Sequence, residues 1–210
     1  MADVVVVDYG MGNLRSVEQA LRKVAPNDKI IVSDDARVIA DARRVVFPGQ
    51  GAMPDCMREL EMRGLRDAVL KAARDKPFLG ICIGLQMLFE HSTEGNVAGL
   101  GILRGKVVRF AGNLRDAQGN KLKVPHMGWN QVHHGNHTLW DGIDQDARFY
   151  FVHSYYVCPQ DAALVQGTSD YPQPFVCAVA RDNLFGVQFH PEKSQTAGLK
   201  LLQNFVQWNP

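Results

Sequence analysis

The sequence predicts an α/β fold with a mostly parallel central sheet flanked by helices, and with antiparallel strands added in the second half. In the first half, short apolar runs alternate with patterns of helical period, which is typical of a parallel sheet. In the second half, short β-like runs follow one another with turn residues between them, which indicates hairpins. The chain has 210 residues and shows neither a repeat nor a linker. We therefore predict a single domain over residues 1–210.

Composition excludes several classes of protein. The chain is 46% hydrophobic and 21% charged with a net charge of +1, which argues against disorder and against the basic stripe of a nucleic-acid binder. No apolar run approaches the length of about 18 residues that a membrane span needs. The N-terminus has neither the pattern of a signal peptide nor that of a transit peptide. The four cysteines form no C-x-x-C pair, so free thiols in a reducing cytoplasm are expected.

The first-half elements follow in order along the chain. Buried parallel strands are predicted at the apolar runs 4–7, 30–32, 45–47 and 78–81. Asn13 is a candidate N-cap for a helix that ends before Pro26. Residues 54–75 have helical spacing that Gly64 divides in two. A further helix carrying Leu85, Leu88 and Phe89 is predicted directly after the fourth strand.

The second half is predicted to be antiparallel. Its β-like runs are residues 107–110, 131–134, 149–157, 163–166, 175–180 and 184–189. Residues 196–208 have apolar positions at helical spacing and close the chain as a helix. We expect the hairpins to extend the parallel sheet or to lie beside it.

The clearest chemical signal is a nucleophile elbow with Cys in place of Ser, formed by Gly80, Cys82 and Gly84. A tight strand-to-helix turn strains the backbone of the central residue, and only glycine fits two residues to either side. The turn presents the sulfur at a helix N-terminus, where the dipole favours the thiolate. We predict that Cys82 is a nucleophile; a buried structural cysteine is the alternative.

A proton carrier for this nucleophile is predicted at His190, followed by Pro191 and Glu192. In extended backbone, residues i and i+2 point to the same side, so Glu192 can orient the imidazole and stabilise its cation. Pro191 is expected to hold the segment extended. A loop ion pair is the alternative, but together with the elbow these residues favour a Cys-His-Glu triad.

The loop Pro48-Gly-Gln-Gly51 follows the third predicted strand and reaches the same edge of the sheet. Its glycines allow backbone N–H groups to turn toward a ligand. Backbone donors at Gln50 or Gly51, together with the N–H of Ile83, are therefore candidates for an oxyanion hole. A plain turn is the alternative.

Two other patterns carry less weight. Gly10-Met-Gly12 has the start of a dinucleotide fingerprint, but Arg15 stands where the third glycine is needed. His133, His134 and His137 are followed by no carboxylate or Cys at ligand spacing, so no metal site is predicted there. Cys56, Cys158 and Cys177 are expected to be inert.

The three chemical segments together resemble the class I, triad-type glutamine amidotransferases. A closer resemblance, to the glutaminase subunits of imidazole glycerol phosphate synthase, rests on residues 8–14, 125–130, 151–155 and 190–194. It covers essentially the whole chain, and the segment Pro125-His-Met-Gly-Trp-Asn130 is specific to that subfamily. One departure is Gln50, where the loop often carries valine; a backbone donor is expected to tolerate that change.

The resemblance implies L-glutamine as substrate, a γ-glutamyl thioester on Cys82, proton transfer by His190, orientation of His190 by Glu192, and no cofactor. It also implies a set of residues that hold the glutamine: Gly49, Gln86, Glu94, His153, Ser154 and Tyr155. Solvent-facing positions are the alternative for Gln86 and Glu94.

A partner subunit is also expected, because the predicted elements leave no segment for a domain that consumes ammonia. By resemblance, the partner is a (β/α)8 cyclase in a heterodimer that makes imidazole glycerol phosphate and aminoimidazole carboxamide ribotide for histidine biosynthesis. The residues implied to face it are Asn13, Trp129, Tyr150 and Lys193. Trp129 could instead be a core aromatic, and Lys193 a solvated charge.

Three rival functions remain. A Cys hydrolase or peptidase could use the same elbow, although its acid would more often precede the histidine. A non-catalytic binding subunit would be supported by loss of a triad residue, and all three are present. The glutaminase of anthranilate or aminodeoxychorismate synthase is the nearest relative in chemistry, and residues 125–130 argue against it.

Overall fold

The computed structural model describes residues 1–116 and 118–210. Six α-helices lie in these ranges: α1 (Leu14–Val24), α2 (Ala36–Ala40), α3 (Met53–Met62), α4 (Arg66–Asp75), α5 (Ile83–Gln86) and α6 (Gln195–Gln207). Seven strands precede residue 110: β1 (Val4–Val7), β2 (Ile30–Ser33), β3 (Arg44–Gly49), β4 (Phe78–Cys82), β5 (Phe89–Ser92), β6 (Val97–Ala98) and β7 (Leu103–Arg109). Seven follow: β8 (His126–Gln131), β9 (His133–His134), β10 (Arg148–His153), β11 (Tyr155–Pro159), β12 (Val165–Asp170), β13 (Pro174–Arg181) and β14 (Leu184–Val187).

The sheet has a parallel half and a mostly antiparallel half, as predicted. Strands β2, β1, β3, β4 and β14 lie side by side and parallel. Beyond β14, the strands β13, β11 and β7 continue the sheet in antiparallel pairing, and β5 and β6 form its far edge. Strands β8 and β10 form a separate antiparallel pair beside it.

The parallel half is buried because its strands carry apolar side chains on both faces. All four valines of β1 are fully buried, and β4 and β14 are buried along their whole length. Helix α1 packs against α6, and α2 packs against α4. None of the helices in the described residues is long and apolar enough to cross a membrane.

The register of β4 brings the predicted chemical segments together. Ile81 pairs with Pro48 of β3 on one side and with Val187 of β14 on the other. Because the three strands are parallel, their carboxyl ends meet at one edge of the sheet. Cys82, the loop after Gly49 and the segment after Val187 therefore face the same space.

Some element predictions were wrong. The helix after Cys82 is a single turn of 4 residues, and Phe89 begins a strand instead of continuing the helix. The N–H groups of Leu100 and Leu103 bond to the carbonyls of Met87 and Leu88, so tertiary pairing overrides the helical spacing. The run 149–157 is divided between β10 and β11, which belong to different sheets. Asn13 precedes α1, but its side chain makes no capping hydrogen bond.

Candidate active site

The turn at Cys82 has the strained geometry of a nucleophile elbow. Cys82 has φ 57° and ψ −113°, a region that non-glycine residues rarely occupy. A Cβ on Gly84 would lie 1.9 Å from the carbonyl oxygen of Phe47, and a Cβ on Gly80 would lie 3.1 Å from that of Gly84. Glycine at position 84 thus lets α5 touch the backbone of β3, and this contact holds the sulfur at the edge of the sheet.

We expect Gly84→Ala to destabilise the protein by more than about 3 kcal/mol, because the new methyl would overlap backbone atoms of β3 that cannot move independently of the sheet. Urea denaturation of the full chain measures this change. The control is Gly112→Ala, whose added methyl would meet no atom within 4 Å. Equal stability of the two variants would contradict the proposed role of Gly84.

His190 and Glu192 form a buried pair next to Cys82. The Nδ1 atom of His190 lies 2.9 Å from Oε1 of Glu192, and both side chains are almost fully buried. Pro191 does not keep the segment extended, as the sequence suggested; Pro191–Lys193 form a turn of 3-10 helix. The carboxylate reaches the imidazole through that turn, while Nε2 of His190 has no hydrogen-bond partner among the described residues.

The charge state of His190 follows from its neighbours. Burial by itself lowers the pKa of His190, but the Cys82 thiolate and the hydrogen bond to Glu192 outweigh burial and raise this pKa to about 10. At neutral pH His190 is therefore an imidazolium beside the Cys82 sulfur. This arrangement can attack a carbonyl carbon and protonate the leaving group.

The loop after β3 contributes to the same space. Gly49 pairs in register with Cys82, while Gln50 and Gly51 follow at the mouth of the site. The thiol of Cys56 donates to the carbonyl oxygen of Gln50 at 3.5 Å. This hydrogen bond connects the loop to α3, which carries Cys56.

A cavity of about 300 Å³ lies above Cys82. It is lined by ten of the residues that the sequence and the resemblance single out: Gln50, Gly51, Cys82, Ile83, Gln86, Glu94, His153, Ser154, Tyr155 and His190. Gly49 does not line the cavity, because it packs against Tyr9, whose hydroxyl would lie 2.5 Å from an added Cβ. Glu192 lies behind His190. Pro125 and Val152 also line the cavity; both lie in segments that carry the resemblance, but neither was expected to be a site residue.

Gln86 is buried rather than solvated. Its Nε2 donates to the carbonyl of Tyr155 at 3.1 Å and to Oε1 of Gln188 at 3.0 Å. Its own Oε1 has no partner among the described residues. This oxygen is available to accept a hydrogen bond from a ligand. Glu94, on the loop after β5, accepts from the N–H of Met53 at 2.9 Å and so caps α3.

His153 is a neutral imidazole in the wall of the cavity. Burial lowers the pKa of His153 to about 3 and that of His126 to about 4. The N–H at Nδ1 of His153 donates to the carbonyl of Tyr155 at 2.8 Å, so Nε2 accepts from Nδ1 of His126 at 2.9 Å. His190 is thus the one imidazolium among the histidines that line the cavity.

The sequence did not single out Gln188, which is fully buried and whose Nε2 lies 3.7 Å from the Cys82 sulfur. In extended backbone the alternation used for Glu192 would place Gln188 on the same side as His190, but it would not report the contact of Gln188 with Cys82. Phe189, between them, points into the aromatic core.

Three of the four residues expected to face a partner form a cluster. Trp129 is 41% exposed and packs edge-on against Tyr150, with ring centroids 6.1 Å apart. The ammonium group of Lys193 lies 6.0 Å from the centre of the Tyr150 ring. Asn13 lies apart from these contacts, at the start of α1. Trp129 is therefore a surface residue and not part of the core.

The patterns that were set aside have local explanations. Asp8 accepts from the N–H of Gly10 at 2.8 Å, which stabilises the turn after β1. His133 is paired with Asp146 and Asp170 at the surface. Residues 1–116 and 118–210 contain no group of three or more side chains arranged to hold a metal ion.

Comparison with known proteins agrees with this geometry. The family model of the class I glutamine amidotransferases matches residues 5–208. The chain belongs to this family. Among solved structures, a glutamine amidotransferase covers 97% of both chains with a TM-score of 0.72 at 17% identity. The glutaminase domain of CTPS from Trypanosoma brucei covers 100% of this chain and 96% of its own with a TM-score of 0.64 at 16% identity. These two structures show a shared fold.

Proteins of similar sequence identify the subfamily to which the chain belongs. The imidazole glycerol phosphate synthase subunit HisH of Aromatoleum aromaticum is 63% identical over 100% of both chains. The subunit of the same name from Nitrosospira multiformis is 64% identical, also over 100% of both chains. The amidotransferase is thus a HisH-type glutaminase subunit, and the anthranilate-type and stand-alone hydrolase alternatives are not supported.

Proposed function

We propose that the chain hydrolyses L-glutamine to glutamate and ammonia with Cys82, His190 and Glu192 as its catalytic triad. The observation that carries the proposal is the buried pair of His190 and Glu192 beside a strained Cys82, with Cys82 and His190 lining a cavity of about 300 Å³. The match of the family model to residues 5–208 supports one amidotransferase domain. The free thiols of all four cysteines fit a reducing cytoplasm.

The first half of the reaction forms the thioester. The Cys82 thiolate attacks the side-chain amide carbon, and backbone N–H groups of the loop at Gln50 or Gly51 and of Ile83 stabilise the oxyanion. The Nε2–H of His190 is transferred to the amide nitrogen as the C–N bond breaks. Ammonia leaves, and a γ-glutamyl thioester remains on the sulfur.

The second half releases glutamate. Neutral His190 takes a proton from water, and the resulting hydroxide adds to the thioester carbon. Collapse of this intermediate breaks the C–S bond, which restores the Cys82 thiolate beside a protonated His190. Glu192 holds the ring throughout and stabilises its cation.

Substrate recognition is assigned to the wall of the cavity. The unpartnered Oε1 of Gln86 can accept from the α-ammonium of glutamine, and the carboxylate of Glu94 adds a negative charge nearby. Peptide groups at Ser154 and Tyr155 can hold the α-carboxylate and the amide. Because His153 is neutral, this wall carries no second positive charge in addition to that of His190.

We further propose that the ammonia passes to a (β/α)8 cyclase subunit, which forms imidazole glycerol phosphate and aminoimidazole carboxamide ribotide. The relatives are named as subunits of a synthase, which supports a partner. The test is glutamate release from glutamine by the chain alone, with the candidate cyclase, and with the cyclase and its nucleotide ligand. We expect little activity alone and a rise with each addition; full activity of the isolated chain would contradict the subunit assignment.

We expect Trp129→Ala to weaken binding of the cyclase at least about tenfold, because exposed aromatic side chains at interfaces carry much of the binding energy. Asn13, Tyr150 and Lys193 are proposed to lie in the same interface. Isothermal titration of the two subunits measures the change. Met62→Ala is the control, because Met62 is 74% exposed and lies outside this cluster. Equal loss in both variants would argue against the proposed interface.

A further inference from the structure

We propose that the amide of Gln188 is a positioning residue that holds the Cys82 sulfur as a thiolate and directs it toward the substrate. The proposal rests on the proposed function, because it takes Cys82 as the nucleophile. Gln188 follows β14 directly, and its pairing partner by continuation of the β4–β14 register is Cys82, since Ile81 pairs with Val187. Its side chain therefore arrives beside the sulfur from the neighbouring strand.

The orientation of the Gln188 amide is set by a chain of hydrogen bonds. The carbonyl of Tyr155 can only accept, so the group of Gln86 that faces it is Nε2. The same Nε2 donates to Gln188 at 3.0 Å, which requires the oxygen of Gln188 on that side. The nitrogen of Gln188 is left to face the Cys82 sulfur at 3.7 Å.

This contact favours the charged form of the sulfur. A thiolate can only accept hydrogen bonds, and bonds to charged acceptors are stronger than bonds to neutral ones. Gln188 is 0% exposed, so water cannot replace its N–H. The titratable groups next to Cys82 are His190, Cys56 and Tyr9, while Glu94 lines the same cavity and Glu192 lies behind His190. Burial raises the pKa of Cys56 to about 11 and the pKa of Tyr9 well above its usual value, so both stay neutral.

Gln188 acts where the helix dipole is weak. Helix α5 is a single turn, so its backbone offers the sulfur less stabilisation than a long helix would. Nδ1 of His190 is bonded to Glu192, which leaves Nε2 as the nitrogen that can donate to the sulfur, and Gln188 lies two residues before His190 in the chain. An imidazolium and an amide can thus both donate to the sulfur before it attacks, and the amide can donate to it again when the C–S bond breaks.

The experiment is the rate of Cys82 modification by iodoacetamide as a function of pH, measured on the full chain by mass spectrometry of the Cys82 peptide. We expect Gln188→Met to slow modification at pH 7 about tenfold, the effect of losing one hydrogen bond to a charged group. Its rate profile is expected to move toward higher pH. With the cyclase present, kcat for glutamine is expected to fall by a similar factor, while KM changes less than about threefold. Gln203→Met, on α6 and away from the cavity, is the matched control.

The outcomes separate this inference from the proposed function. If iodoacetamide does not modify Cys82 in the wild type, or modifies it without stopping glutamine turnover, the proposed function is wrong. If Cys82 is modified with loss of turnover, but Gln188→Met leaves its rate and pH profile unchanged, the inference alone is overturned. Should Gln188→Met fail to fold, Gln188→Asn withdraws the amide by one bond and should slow modification in the same direction; a wild-type profile in that variant would likewise overturn the inference.

Discussion

Cys82→Ala is expected to reduce glutamine-dependent synthesis by the reconstituted complex by at least about 10⁴-fold, the scale seen when a covalent nucleophile is removed. The reaction supplied with ammonium salts should continue at the wild-type rate, because the cyclase then needs no glutaminase. The physical reason is that Cys82 is the one thiol among the described residues that line the cavity. Parallel assays of product formation from glutamine and from ammonium measure both rates.

The control for this variant is Cys158→Ala, because Cys158 is a half-buried free thiol outside the cavity. It should retain the glutamine-dependent rate. Glutamine-driven synthesis by Cys82→Ala at an appreciable rate would show that the nucleophile has been assigned to the wrong residue. Loss of the ammonium-driven rate would show instead that the variant no longer supports the complex.

His190→Ala is expected to lower kcat for glutamine by at least about 10³-fold, because both proton transfers pass through Nε2. The empty space cannot be filled by Glu192, whose carboxylate lies behind the ring. Assays of glutamate release in the presence of the cyclase measure this loss. The control is His133→Ala, at an exposed surface pair remote from the cavity. Retention of more than a tenth of the wild-type kcat would exclude His190 as the proton carrier.

The pKa of His190 predicts the pH above which the wild-type enzyme loses activity. The pKa of His190 is raised to about 10, so its proton is present through neutral pH and is lost as pH rises through that value. Since this proton goes to the departing ammonia and the pKa is that of the free enzyme, kcat/KM for glutamine should fall above about pH 10. A fall centred near the ordinary histidine value of about 6.5 would contradict the raised pKa of His190.

The sequence was most informative where one local rule decides the structure. The valine run of β1 predicted a buried strand, and Gly80, Cys82 and Gly84 predicted the strained turn, because sterics permit few alternatives at these positions. The pair of His190 and Glu192 was also identified, although its contact arises from a 3-10 turn and not from extended backbone. For this pair the residue types, His and Glu, predicted the contact correctly, although the extended conformation that we assumed for the backbone was wrong.

The sequence was least informative where distant segments decide. Leu88 and Phe89 continue a helical pattern, but residues 99–103 pair with them and draw the chain into a strand. Gln188 is adjacent to the His190 segment in sequence, yet its role depends on Gln86 and Cys82, about 100 residues away. No local pattern reports such a contact, because polar residues at the end of a strand are commonly exposed.

The pairing of β4 with β14 determines how the active-site geometry can be lost. Cys82 ends β4, and His190 follows the end of the hydrogen-bonded neighbour β14 by three residues, so the separation of the two side chains depends on how these strands align. A slide of one residue would exchange the side chains of β14 between the two packed faces of the sheet, so Leu184, Phe185 and Val187 would enter space shaped for other side chains. Partial misalignment of the pair is thus not a populated state. Catalytic competence should disappear in the same cooperative step as the fold.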